Sequence, residues 1–424
     1  MSRRAPPSSS SLPSGSVCIA VATLLLGCGK DEVALPASSS ARSTEAPPIA
    51  ELPVERVRVD ARPGAGSPRL TAGPAGVVLS WLEPEAEGYR LRARAWDGGG
   101  DTRTVVAHAD LLQNWADVPS VMPGPAGWVA GWPQRRGESG YDLQWSREAT
   151  DGSWSSPLPV SDATQGPEFG FLSWAPNPAG TLTAFWLDGR ASTTSHGGAM
   201  QLWSATVSEQ GVSGRRVLDE RVCDCCQTAA APTSSGPVVV YRDRDDNEIR
   251  DIWLAGPGPT QRRRVGIDDW RIEGCPVNGP SVSALGDSLA VAWFSGASAS
   301  GSVRVAFADA EGSFSAPIVV DDGNPLGRVD LVWLDDESVV VVWIEHVDDA
   351  AEVRVRRVNR AGARSSPMRV ASTQASRRSG FPHLERVGSE LALAWVDVSD
   401  GASTIAAARA SIEALPQSMP RRLK

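Results

Sequence analysis

Arginines and carboxylates crowd a few short stretches of this chain, and these residue types grip anions and move protons. The densest run is Arg242-Asp243-Arg244-Asp245-Asp246-Asn247-Glu248, directly after Tyr241, and Asp188-Gly189-Arg190, Gly327-Arg328-Val329-Asp330 and Arg377-Arg378 repeat the theme. A guanidinium is a planar fork that matches a carboxylate bidentately. Arg190, Arg242, Arg328 and Arg378 are therefore candidates for holding an anionic group, with Asp188 and Asn278 beside them and Trp270 as a stacking surface for a sugar ring. The run 243–248 could bind calcium through oxygen, but its interleaved arginines make an internal ion-pair network the stronger expectation.

Four cysteines form a second group: Cys223, Cys225 and Cys226 in one run, and Cys275 further on. Cys223 lies 18 residues before Tyr241 and Cys275 lies 18 before Trp293, so the two loops hold equivalent places in whatever repeat carries them. In an oxidising compartment such cysteines are expected to form disulfides. A thiolate site for copper(I) or zinc is the alternative, although Cys-X-Cys-Cys is not a zinc-ribbon spacing and no histidine lies nearby. We expect no metal and no cofactor. His108, His196, His346 and His383 are scattered, and no nucleophile elbow, phosphate loop or dinucleotide fingerprint is present.

These residues must be positioned by a repeat. Apolar runs ending in an aromatic residue recur at Trp81, Trp132, Trp186, Tyr241, Trp293, Trp343 and Trp395, at intervals of 50 to 55 residues. A period near 50 without helical patterning points to an all-β propeller. Each unit reads as four short strands; in the fifth they are 280–284, 288–294, 303–308 and 316–320. The second strands are continuous apolar runs, such as Val339-Val340-Val341-Val342-Trp343, which suits burial on both faces. The seventh unit ends near Leu415-Pro416 before a fourth strand, and residues 54–59, which alternate cleanly, are the candidate to supply it. Seven four-stranded blades closed by an N-terminal strand are favoured, with six as the alternative. Propeller topology then gathers the charged loops and the cysteines on one face.

Two turns on the opposite face, Thr150-Asp151-Gly152-Ser153-Trp154 and Asp309-Ala310-Glu311-Gly312-Ser313-Phe314, resemble degenerate Asp-boxes. With the stretch from Cys223 to Pro280, they make the chain after residue 60 resemble the sialidase superfamily, the BNR-repeat propellers. The resemblance implies an arginine cluster around a substrate carboxylate, Tyr241 as nucleophile activated by Glu248, and Asp243 as acid/base. Two features depart from it. The superfamily's Phe/Tyr-Arg-Ile-Pro signature is absent, Ser67-Pro68-Arg69-Leu70 standing in its place, and Tyr241 occupies an aromatic anchor whose ordinary role is packing.

Ahead of the propeller, Arg3, Arg4, an apolar run from Val17 to Leu26, and Leu25-Leu26-Gly27-Cys28 resemble a bacterial lipoprotein signal. That run is too short to span a bilayer as a helix. The expected organisation is a signal peptide over 1–27, lipidated Cys28 and a Ser/Ala/Pro-rich tether over 28–53, a propeller over 54–415, and a tail over 416–424. Gly29 after the cysteine favours the outer membrane, with the membrane met through the lipid alone. A net charge of −9 disfavours nucleic acid as a partner. We expect a monomeric envelope protein that binds a glycan or other anionic ligand, with sialidase-like hydrolysis as the reaction the resemblance implies. A non-catalytic interaction or assembly propeller is the alternative.

Overall fold

The computed structural model describes residues 49–419, apart from 99–100, 125–126, 138–139, 164–165, 167, 194–197, 257–261, 310–311 and 399–400. The signal peptide, Cys28, most of the tether and His196 lie outside the described residues. Among the described residues no helix is long and apolar enough to cross a membrane.

Seven antiparallel sheets follow one another along the chain. Each of the first six blades is contiguous, beginning with Gly66–Gly73, Gly76–Pro84, Tyr89–Ala95 and Arg103–His108 in blade one. Blade five runs Ser281–Leu285, Ser288–Ser295, Ser302–Phe307 and Ile318–Val319, close to the expected limits. The seven anchor aromatics are buried on the second strands, where branched and aromatic residues suit a strand covered on both faces. The apolar side chains fall into seven clusters, each shared by two neighbouring blades. One of them joins Leu70, Leu79 and Trp81 of blade one to Ala392, Ala394 and Ala407 of blade seven. The ring is therefore closed by the same packing that links every other pair.

Blade seven takes its fourth strand from the N-terminus. Glu55–Val57 pairs antiparallel with Thr404–Ser411, register Glu55 to Arg409 and Val57 to Ala407. The expected tether is shorter than its predicted limit of residue 53. Ala50–Glu51 adds a fifth, parallel strand to the outer edge of blade six against Met368–Thr373, and Leu52 is buried in the cluster between blades six and seven. An outer strand with unpaired backbone groups invites this kind of cover.

The turns on the far face behave as their residues require. Asp151 accepts from Ser153 N–H at 2.9 Å, and Asp309 accepts from Ser313 N–H at 2.7 Å. Trp154 and Phe314 pack into neighbouring clusters. Asn359 makes a third turn of this kind, accepting from Ala363 N–H at 2.8 Å, and the sequence reading missed it because an amide stands where an Asp was sought.

Candidate functional site

The charged residues singled out in the sequence are placed chiefly by structural duties. Several anchor indoles donate to the polar residue two positions on: Trp81 to Glu83 at 3.2 Å, Trp132 to Gln134 at 3.2 Å, Trp186 to Asp188 at 2.9 Å and Trp343 to Glu345 at 2.7 Å. A buried indole N–H needs an acceptor, and a strand's period of two puts this residue on the same side. Asp188 is fully buried in this role and also takes a bidentate contact from Arg190, whose guanidinium lies 3.8 Å from the Trp203 ring centre.

Tyr241 follows the anchor pattern. It is 1% exposed, its hydroxyl donates to Asp219 at 2.7 Å and accepts from Arg262 at 3.0 Å, and burial followed by the Asp219 charge pushes its pKa up. A nucleophilic phenol needs exposure and a lowered pKa, so this is the geometry of a core residue. Glu248 is elsewhere: it accepts from Arg244 and Arg250, and those bonds hold its carboxyl down to about 2. Asp243 is raised to about 7 by burial and then by Asp219, opposed by Arg262, within the same buried network. The proposed nucleophile, activator and acid do not face a common opening.

The four arginines are engaged by other partners. Arg242, 1% exposed, donates to the backbone carbonyls of Asn278, Arg250 and Phe294, and lies 4.8 Å from the ring centre of Trp270. Trp270, at 8% exposure, is packed edge-on against Phe294 and has no free face for a sugar. Arg328 donates to Ser376 O and Gly380 O and covers Trp115. Arg378 is exposed and donates to Gly401 O. Asn278 clasps two blades, its Oδ1 accepting from Arg328 N–H at 2.7 Å. The cysteines carry no disulfide: Cys223, Cys225 and Cys226 cluster, and Cys275 is exposed outside that cluster.

The concentrated chemistry lies instead on the axis. A cavity of about 470 Å³ runs along the inner strands and is lined by Arg69, Asp117, Gln227, Asp330, His383 and Glu385 among others. Asp330 Oδ2 is 3.4 Å from His383 Nδ1 and accepts from Leu384 N–H, while Oδ1 accepts from Ser281 at 2.6 Å. Burial raises Glu385 to about 8, helped by Asp330 and opposed by Ala72 N–H and Arg69. Burial also raises Asp117 to about 7, opposed by Phe171 N–H and Arg69. Arg69 is itself lowered by burial, against the pull of Asp330, Asp117 and Glu385. Asp117 Oδ2, His383 Nε2, Thr71 Oγ1 and Ser120 Oγ are buried without a hydrogen-bond partner in the protein.

Strained turns precede several polar residues of the inner strands. Ser67, Phe171 and Arg328 have φ of 54°, 56° and 58°, each directly after a glycine and each inside a register shift of the inner strand. A bulge of this kind re-aims the residues that follow it. Arg69, Ser173 and Asp330 stand two positions later. Gly66, Gly170, Gly327 and Gly380 all lie three residues before an inner-strand polar residue. This Gly-X-X-polar pattern, followed by alternation as in His383-Leu384-Glu385, was the signal available in the sequence.

No protein-family profile matches the chain, and no curated protein does. Among solved structures, a polysaccharide lyase, an ulvan lyase, is 11% identical over 86% of this chain and 100% of its own, with a TM-score of 0.54. An ulvan lyase bound to -[GlcA(1-4)Rha3S]- gives 11% identity, the same coverage and a TM-score of 0.53. The Hadza microbial sialidase Hz136 gives 12% identity over 80% of this chain and 78% of its own, with a TM-score of 0.45. At such identities the likeness defines a fold. The chain is a seven-bladed propeller with an axial cavity in which polar groups interrupt an apolar lining.

Proposed function

We propose that the chain is a lipid-anchored envelope protein whose propeller binds a polyhydroxylated glycan in its axial channel. The carrying observation is the group of unpartnered buried polar atoms on that channel, which offers acceptors and donors to a ligand that brings its own. A cavity of about 470 Å³ has room for a short stretch of sugar. The lining includes one arginine against three carboxyl groups, of which Glu385 and Asp117 are held partly or wholly protonated near neutral pH. Such a lining suits hydroxyl groups, which pair with carboxylates and carboxylic acids alike. It does not favour the anionic ligand expected from the arginine-rich loops, since those arginines are occupied. The propeller at TM-score 0.53 that is bound to a uronate- and sulfate-bearing glycan supports glycan binding by this fold, and not the preference for a neutral one. Purified protein on a panel of neutral and acidic glycans is expected to retain neutral ones, with release of product from the retained glycans reading turnover in the same samples. Retention of acidic glycans only would contradict the channel chemistry.

The envelope part of the proposal rests on Leu25-Leu26-Gly27-Cys28 following a short apolar run. Radiolabelled palmitate is expected to enter the wild type and not Cys28→Ala, with both fractionating to the outer membrane or remaining periplasmic according to the label. Equal labelling of the two would remove the anchor.

A further inference from the structure

The loop that leads into blade four carries chemistry that glycan binding does not use. The Sγ atoms of Cys223, Cys225 and Cys226 lie within 4.8 Å of one another. Cys223 Sγ is 3.1 Å from Cys226 Sγ and 3.8 Å from Cys225 Sγ. Cys223 and Cys226 are buried and Cys225 is half-buried, so the cluster has a floor and one approachable side.

The loop is fixed at both ends. Cys223 N–H donates to Arg242 O at 3.0 Å, and Val222 bridges Asp243. Gln227 donates to Ala116 O at 2.8 Å and accepts from Gly279 N–H at 2.9 Å. Gly279 permits that approach, since a Cβ there would stand 2.2 Å from Gln227 O. Arg250 Nη1 donates to Cys223 Sγ at 3.3 Å while Nη2 holds Glu248 at 2.8 Å, so a positioned cation faces the sulfurs.

We propose that Cys223, Cys225 and Cys226 bind a single copper(I) ion. Soft sulfur donors select soft cations, and copper(I) accepts a low coordination number. A structural zinc site takes four ligands; among the described residues no fourth His, Cys, Asp or Glu joins these three. Three thiolates around a monovalent ion leave excess negative charge, and Arg250 is placed to offset it. Each thiol that binds gives its proton to solvent. A donor set already held in a fixed loop needs little reordering when the ion arrives.

The reduced full-length protein, kept anaerobic, is titrated with copper(I) in competition with bicinchoninate. One equivalent is expected to be retained, with near-ultraviolet thiolate-to-copper absorption. Cys225→Ser, on the half-buried position, is expected to weaken retention by at least about tenfold, with unchanged far-ultraviolet circular dichroism, while Cys275→Ser behaves as wild type. Loss of copper to the chelator by the reduced wild type would overturn the site. So would undiminished retention in a Cys223→Ser/Cys225→Ser double variant, or tighter retention of zinc than of copper(I) in the parallel titration.

Discussion

Deleting the chain through Asp60 is expected to lower the melting temperature by on the order of 5 °C, whereas deleting only residues 29–48 leaves it nearly unchanged. The longer deletion removes the fourth strand of blade seven, three backbone-paired residues and the Val57 contact between blades seven and one. It also removes the parallel strand on blade six, buried Leu52, and Arg56, whose guanidinium lies 4.6 Å from the Trp395 ring centre. Burial of one leucine and part of a valine with several ladder bonds is worth on the order of 4 kcal/mol. The stripped edge of Thr404–Ser411 would in addition be open to pairing with other chains. Differential scanning calorimetry of the two truncations makes the comparison, and equal melting temperatures would refute closure by the N-terminal strand.

The second large effect is on the pH dependence of stability. Glu385 and Asp117 have folded values, about 8 and about 7, above those of an unfolded chain. The folded state therefore binds more protons than the unfolded state between about pH 4 and pH 8, and stability falls as pH rises through that window. Below it both states are protonated and the two groups cost nothing. At about 1.4 kcal/mol per pH unit the Glu385 gap sets an upper bound of about 5 kcal/mol. Glu385→Gln, which keeps an acceptor for Ala72 N–H, is expected to be more stable than wild type at pH 8 and about equal to it at pH 4. Urea unfolding at both pH values reads this difference. A variant equally shifted at both would show that the carboxyl is not held protonated.

The fold could be read in the sequence because its cause is periodic. Seven anchors at near-equal spacing, a final unit one strand short and an alternating segment at the other end allow few arrangements besides a closed seven-bladed ring. The site was harder, since side-chain type does not reveal what a side chain has already spent its bonds on. Arg242 and Arg328 look available as letters, yet their donors are taken by carbonyls of neighbouring loops. Asp188 looks like part of a ligand site beside Arg190, yet the indole of Trp186 explains its presence. Tyr241 could be read either way, and its place in the anchor series was the correct guide. The axial residues were overlooked because Arg69, Asp117 and Glu385 are separated widely in sequence and come from three different blades, Asp117 from the turn ahead of Ser120–Gly124. Glycines three residues ahead mark several of the axial polar positions, but only a ring brings them together. The cysteine loop was read as a disulfide framework from equal spacing in two blades; equal repeat position places loops side by side without bringing Cys275 into reach of the other three.

In the proposed function the ligand is held on the axis and not by the charged loops. Isothermal titration of one retained neutral glycan into wild type, Asp330→Asn and Arg378→Ala tests it most directly. Asp330 braces His383 and Ser281 within the channel, whereas Arg378 is exposed outside its lining. Affinity is expected to fall about tenfold or more in Asp330→Asn, which loosens His383 and Ser281 on the channel wall, and to stay at the wild-type value in Arg378→Ala. Full affinity in Asp330→Asn together with lost affinity in Arg378→Ala would contradict the axial placement and return the site to the loops.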